Sequence, residues 1–222
     1  MKIRKNINRV RRRAERILKG LKKIVPNAGM MLKYRNNLEL LVAVILSAQC
    51  TDKKVNEVTE KLFKKYTRFE DYIKASANRR TVKEFEKDIY ATGFYKNKTK
   101  NILSAAKYIQ KNHGGKIPKT MEEIIKIPGV GRKTANVVLG NAYGIVEGIA
   151  VDTHVFRLAH VLKLSDGKTP EIVEKDLMGL FPKKEWFRLT YYLIEYGRNY
   201  CPARKHDHKN CPLFQILRSS TS

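Results

Sequence analysis

The chain has 222 residues and a formal net charge of +25, from 46 Lys and Arg against 21 Asp and Glu. This length allows a hydrophobic core in one or two domains. Such a cationic excess attracts polyanions, which favours a nucleic acid over an acidic small molecule as partner, although a basic structural protein would have the same composition. No apolar run approaches the ~20 residues of a membrane span. The three cysteines, an odd number, argue against a disulfide framework.

Helical periodicity dominates the first part of the chain. An N-terminal helix is indicated by a core-facing stripe at helical spacing, formed by Val10, Ala14, Ile17, Leu18, Leu21 and Ile24. Residues 38–48 are apolar nearly all round, which predicts a buried helix. Thr51 or Asp52 would cap the next helix. Gln49 therefore lies at a junction between two helices, where its amide can face a cleft or satisfy loop backbone groups.

Two more helices are predicted at 69–75 and 81–89, and a third at 98–111. Gly93 breaks the pattern and leaves Phe94 and Tyr95 in a basic turn. Aromatic side chains in such a turn can stack on bases or wedge between them, or they can fold back as local core. Both readings of Phe94 stay open from the sequence.

A helix, a tight turn and a second helix are predicted around residues 121–139. Pro128 ends the first helix, and Gly129 and Gly131 permit backbone torsions that other residues resist. A glycine turn at a helix N-terminus is a ready anion site. Lys133 falls in the first turn of the second helix, where the helix dipole and Arg132 disfavour a further cation. Together with partial burial, these effects favour the neutral amine that a nucleophile needs; the alternative is a lysine that binds phosphate or water.

The remaining chain also reads as helical. Asp152 is a good N-cap for a helix that follows an extended connector, and structural capping is the usual role of such an aspartate. Two more helices are predicted at 170–180 and 184–196, and no long stretch has strand periodicity. The fold class is therefore all-α, with about ten short helices.

The C-terminal tail contains two Cys and two His within eleven residues, namely Cys201, His206, His208 and Cys211. These are metal ligands by type, but their spacing matches no common zinc pattern. A metal site and an unliganded basic tail are both compatible with the sequence.

Taken together, these motifs resemble the endonuclease III family of DNA glycosylases and abasic-site lyases, within the helix-hairpin-helix glycosylase superfamily. The resemblance rests on the hairpin, on Lys133 nineteen residues before Asp152, and on blocks at 46–52, 93–98 and 151–154 that occur in the family order. The blocks span residues 38–211, and the Lys–Asp combination is more specific than the hairpin.

The resemblance implies a role for each matched residue. Lys133 would be the catalytic amine and Asp152 the catalytic carboxylate. The family has a leucine at the position of Phe94, where an aromatic ring is a plausible stacking wedge. Three residues would fill or support the gap left by a flipped nucleotide, and five would contact DNA at the hairpin: Gln49, Phe94 and His154, then Gly129, Val130, Gly131, Arg132 and Thr134.

The family architecture implies two helical domains flanking a DNA-binding cleft. One would be a six-helix domain at 30–143, and the other would combine 1–29 with 144–222. The expected partner is double-stranded DNA containing damaged bases or abasic sites, with no membrane and a monomeric protein. The expected compartment is the cytoplasm, with the nucleoid, in a prokaryote, and the nucleus or mitochondrion in a eukaryote.

The family's [4Fe–4S] cluster is the point where the sequence departs. Most members hold it with four cysteines, whereas here only Cys201 and Cys211 match, and His208 and Leu217 occupy the other positions. An ordinary cluster uses four thiolates. The sequence therefore predicts that the cluster is absent or altered, that catalysis requires no cofactor, and that Cys201, Cys211 and His206 or His208 could hold zinc.

The predicted activity is removal of a damaged base, by family resemblance an oxidised pyrimidine, through a lysine Schiff base followed by strand cleavage by β-elimination. A monofunctional glycosylase would share the hairpin and Asp152 but usually lacks the lysine. A non-catalytic helix-hairpin-helix protein would explain the charge but leave the Lys–Asp combination unexplained. A metal-dependent nuclease would need a carboxylate cluster, which the sequence does not show.

Overall fold

The computed structural model describes the backbone of residues 2–218 and the side chains of residues 8–218. All regular secondary structure in this range is helical. The α-helices are α1 (Lys2–Ile24), α2 (Asn37–Leu46), α3 (Asp52–Lys65), α4 (Phe69–Ala75), α5 (Arg79–Ile89), α6 (Tyr95–His113), α7 (Met121–Ile124), α8 (Arg132–Tyr143), α9 (Thr153–Val161), α10 (Pro170–Leu180), α11 (Lys183–Asn199) and α12 (Pro212–Arg218). Two short 3-10 helices cover Tyr90–Thr92 and His208–Asn210.

The chain divides into two compact units. The first combines Met1–Met30 with Val146–Ser222, and the second is Met31–Ile145. Within the described range, no helix combines the length and the apolar character that crossing a membrane requires.

The second unit is built around α2. Nine of its ten residues are buried, and it packs against α3, α6 and α8. A helix that is apolar on every side is stable only inside a core, where full burial of each leucine contributes roughly 1.5–3 kcal/mol. The charged member of this buried set is Glu39, whose carboxylate accepts hydrogen bonds from Arg35 at 2.6 Å and 3.0 Å.

The first unit packs α1 against α10, α11 and α12, and α9 against α10 and α11. The predicted stripe on α1 is confirmed: Ala14, Ile17 and Leu21 have no exposed surface. Gly20 lets the two ends of the unit approach closely, because a Cβ there would lie 2.6 Å from Leu213 of α12.

Several predicted helix boundaries shift by two or three residues, two of the differences affect the candidate site, and the structure adds one helix. The helix predicted at 121–127 ends at Ile124, and the chain continues in tighter turns, with the Ile127 amide donating to the Ile124 carbonyl at 3.2 Å. Helix α6 begins at Tyr95, whereas the sequence predicts a start at residue 98. It cannot begin earlier, because the preceding residue, Phe94, has a left-handed backbone conformation. From the sequence, the region of α12 is identified only as part of the Cys/His tail, so this helix was not predicted.

Candidate active site

The helix-hairpin-helix of the second unit joins α7 to α8 through a short, well-anchored turn. Ile127 and Val130 are buried on either side of it, and the Val130 amide donates to the Ile127 carbonyl at 3.0 Å. Gly129, between them, has φ +79°, a conformation that side chains rarely adopt. Burial of Ile127 and Val130 anchors the turn to the core of the unit, while Gly129 and Gly131 remain exposed.

Helix α6 packs closely against the hairpin turn. A Cβ added at Gly129 would lie 2.6 Å from the Cβ of Asn101, so Asn101 leaves no room for a side chain there. The turn is therefore fixed both by its torsion angle and by a close approach of backbone to α6.

The N-terminus of α8 presents its first turn to solvent. Gly131 is the N-cap residue, and no side chain caps the helix there. The first N–H groups of a helix have no partner within the helix, so this end can bind an anion. Arg132 and Lys133 are both exposed and Thr134 is half-buried. Lys133 is thus more open than the partial burial expected from the sequence.

Two other exposed turns of the same unit carry Gln49 and Phe94. Both residues are in the left-handed region, with φ +52° for Gln49 and +47° for Phe94. A non-glycine residue in this region costs of order 1 kcal/mol or more and persists only where its surroundings fix it. Phe94 is 62% exposed, so its ring does not fold back as local core.

Asp152 and His154 belong to the first unit. Asp152 is the N-cap of α9, and its Oδ1 accepts a hydrogen bond from the Val155 amide at 2.8 Å. The cap predicted from the sequence is confirmed. His154 lies against Gly197 of α11, where an added Cβ would be 3.1 Å from its Nδ1.

The tail of the first unit gathers its Cys and His side chains into one group. One ligand atom from each of Cys201, His206, His208 and Cys211 lies within 4.8 Å of all the others. His208 Nδ1 is 3.5 Å from Cys201 Sγ, and His206 Nε2 is 3.2 Å from Cys211 Sγ. Burial, with a smaller effect of Cys201, raises the pKa of the Cys211 thiol to about 11.

Comparison with known proteins assigns the chain to a family. Residues 42–183 match the family described as HhH-GPD superfamily base excision DNA repair protein. The chain is 43% identical to the endonuclease III of Synechocystis sp. over 95% of this chain and 94% of that protein. It is 45% identical to the endonuclease III of Bacillus subtilis over 87% of this chain and 86% of that protein. The chain belongs to the endonuclease III family.

A solved relative has the same fold. The structure described as a trapped endonuclease III–DNA covalent intermediate, an estranged-adenine complex, is 40% identical with a TM-score of 0.86, covering 93% of this chain and 94% of that one. The resemblance and the all-α fold drawn from the sequence are confirmed. So is the prediction of a base excision DNA repair enzyme of the glycosylase type.

The prediction about the cofactor is wrong. It treated the cluster as absent or altered and the tail as an optional zinc site, whereas the endonuclease III family typically carries a [4Fe–4S] cluster. The structure brings four donors together in a group that can bind a metal. Thiolate and imidazole are both ligands of iron in protein iron–sulfur centres, so this donor set fits a resident metal. Leu217, at the fourth cysteine position, is buried in the core instead.

Sequence reasoning missed two residues that shape the exposed turns, Asn101 under the hairpin and Lys98 on the first turn of α6. Lys98 is 4% exposed, although it stands between the exposed Lys96 and Lys100 in sequence. The signals in the sequence were its place in the family block at 93–98 and its position four residues before Ile102 on the buried face of α6, and neither reveals what it contacts.

Proposed function

We propose that this endonuclease III family member excises a damaged base from duplex DNA with Lys133 as nucleophile and then cuts the strand. The observation that carries the proposal is the exposed amine of Lys133 in the uncapped first turn of α8, immediately after the hairpin. A relative 40% identical in sequence is described as a trapped covalent intermediate with DNA, which supports covalent catalysis by this chain.

DNA binding would begin at the hairpin. Its N–H groups and the start of α8 contact backbone phosphates, and Arg132 and Thr134 add side-chain contacts. The net charge of +25 favours the approach of a polyanion. Gln49, Phe94 and His154 then occupy or support the gap from which the damaged nucleotide has been extruded. Extrusion costs a few kcal/mol and is easiest for a weakened pair, which contributes to selectivity for damage.

The chemistry uses one amine and one carboxylate. The Lys133 amine attacks C1′, the bond from C1′ to the base breaks, and the electron pair leaves with the base. The Asp152 carboxylate stabilises the positive charge that develops on the sugar and assists the proton transfers. The bond between C1′ and O4′ then breaks, O4′ takes a proton, and the opened sugar is held by an imine between Lys133 and C1′. In the β-elimination that follows, C2′ loses a proton and the 3′ phosphate leaves, and hydrolysis of the imine frees the enzyme.

The remaining assignments follow from the same family. Oxidised pyrimidines are the proposed lesion class. The protein is proposed to act as a monomer in the compartment that contains the cell's DNA. A metal held by Cys201, His206, His208 and Cys211 would cross-link the end of α11, the tail and α12, a contribution to structure rather than to a bond-making step.

Borohydride trapping tests the proposal. Reduction of the imine should link the protein covalently to a duplex with an abasic site or an oxidised pyrimidine. Lys133→Ala should form no adduct. The matched control is Lys126→Ala, which removes another exposed lysine near the hairpin, one whose ion pair with Glu122 at 3.7 Å is also exposed.

Three results would defeat the proposal. An undiminished adduct with Lys133→Ala would assign the nucleophile to another amine. If the parent protein released the base but formed no borohydride adduct, it would be a monofunctional glycosylase. Strand cleavage that depends on an added divalent cation and stops in EDTA would indicate a nuclease.

A further inference from the structure

Lys98 is a buried lysine whose ammonium contacts backbone carbonyls. Its Nζ donates one hydrogen bond to the Leu46 carbonyl and one to the Thr92 carbonyl, both at 2.8 Å. Among the side chains that the structure describes, no carboxylate forms an ion pair with it. Burial lowers the pKa of Lys98, and the Cys50 thiol opposes that effect. An ammonium without a carboxylate in such a place needs a specific reason.

The two carbonyls end two helical segments. Leu46 is the last residue of α2, and Thr92 is the last residue of the 3-10 helix Tyr90–Thr92. Terminal carbonyls of a helix lack partners within it and carry the negative end of its dipole, so a cation there is favourable. One ammonium therefore joins the ends of two segments that are far apart in sequence.

Each of these ends leads directly into an exposed left-handed residue. Gln49 follows Leu46 by three positions, and Phe94 follows Thr92 by two. Such conformations persist only where the surrounding structure determines them. The Lys98 contacts provide this restraint for both turns at once, because they fix the backbone just before each turn and tie both to the start of α6.

We propose that Lys98 is a positioning residue that holds the Gln49 turn and the Phe94 turn in register, so that both side chains enter the duplex together as the nucleotide is extruded. The inference rests on the proposed function and adds to it a residue that acts through Gln49 and Phe94. It predicts a defect in extrusion from a paired duplex and leaves the reaction at C1′ unaffected.

The test compares paired and unpaired substrates. Single-turnover base release is measured with thymine glycol opposite adenine in a duplex, and with the same lesion inside a bubble of unpaired bases. Lys98→Met keeps an unbranched side chain one heavy atom shorter than lysine, and it removes the charge and the hydrogen-bond donors. We expect a loss of about 10- to 100-fold on the paired duplex, as for other small misplacements of binding groups, and less than about 3-fold on the bubble.

Lys100→Met is the matched control. It removes an exposed charge from the same helix, so any general electrostatic effect on DNA affinity appears there too. We expect the ratio of paired to bubble rates to be unchanged in Lys100→Met. Lys98→Arg, which keeps charge and donors, should restore part of the ratio. An equal loss on both substrates, or no loss on either, would overturn the proposal.

A second comparison covers the case in which Lys98→Met also loses stability. In a Gln49→Ala/Phe94→Ala background, Lys98→Met should cause no further loss on the paired duplex, because residues that act through one another are not additive. A further loss as large as in the parent would overturn the inference. Failure of the proposed function is recognised separately, since the parent protein would then give no borohydride adduct on either substrate.

Discussion

Asn101 and Gly129 meet so closely that a Cβ on Gly129 would lie 2.6 Å from the Cβ of Asn101. Gly129 also has φ +79°. Gly129→Ala should therefore lower the free energy of unfolding by about 2–4 kcal/mol, from a left-handed alanine plus an overpacked contact. Urea denaturation of the purified variant measures this loss, and its affinity for duplex DNA should fall with the displaced hairpin.

Gly131→Ala is the control, because no atom that the structure describes lies within 4 Å of its added Cβ and its φ of −87° is ordinary. It should cost less than about 1 kcal/mol in the free protein. Adding Asn101→Gly, which removes the Cβ as well, should relieve the contact part of the Gly129→Ala penalty and leave the torsional part, when the double variant is compared with Asn101→Gly alone. If Gly129→Ala were as stable as the parent, the hairpin turn would not be held by α6.

The cap formed by Asp152 allows its structural and catalytic roles to be separated. Asp152→Asn keeps an oxygen that can accept a hydrogen bond from the Val155 amide, and Asn is an equally good N-cap. The free energy of unfolding should therefore change by less than about 0.5 kcal/mol. Single-turnover base release should nevertheless fall by at least about 100-fold, because the charge is lost. Asp152→Ala should add a stability loss of about 1 kcal/mol. Full turnover by Asp152→Asn would reduce this residue to a cap.

Local signals in the sequence were sufficient for most of the fold. The all-round apolar run at 38–48 predicted a buried helix, and Asp152 before a helical stripe predicted its own N-cap bond. At residues 51–52 the sequence offered two caps, and the structure uses Thr51, which accepts from the Lys54 amide. Such features depend on residues within one helical turn of each other.

Features that depend on distant parts of the chain could not be predicted. Lys98 stands among exposed lysines in sequence, and its partner Leu46 lies fifty-two residues away, so its charge alone would assign it to solvent. The grouping of metal ligands in the C-terminal tail could not be predicted either. Its Cys and His spacing matched no common pattern, yet the turn between Cys201 and Cys211 closes the four donors into one group.

Phe94 offers a test of the wedge assignment. Because its side chain is 62% exposed, Phe94→Ala should leave the free energy of unfolding nearly unchanged. Affinity for a duplex with a tetrahydrofuran abasic analogue should fall by about 5- to 150-fold, the equivalent of one lost stacking contact of roughly 1–3 kcal/mol. Phe94→Leu should keep much of the affinity as an apolar wedge. Fluorescence anisotropy at fixed salt measures both.

Tyr90→Ala is the matched control, since Tyr90 is a similarly exposed aromatic residue, at 64%, in the preceding 3-10 helix. It should change affinity far less than Phe94→Ala. Phe94→Gly should raise stability by up to about 1 kcal/mol, because glycine accepts φ +47° without penalty, while affinity falls as in Phe94→Ala. Equal affinity losses for Tyr90→Ala and Phe94→Ala would remove the special role of Phe94.

The four-donor group predicts a metal in the purified protein. Elemental analysis should find it, and Cys211→Ser should lose it, because removing one of two thiolate donors weakens the site and leaves the tail unlinked. The melting temperature of Cys211→Ser should fall, since metal binding to the folded state contributes to folding. Cys50→Ser is the matched control: Cys50 is a free cysteine in the other unit, outside the donor group, and its substitution should leave the metal content unchanged. Equal metal content in the two variants would place the metal elsewhere.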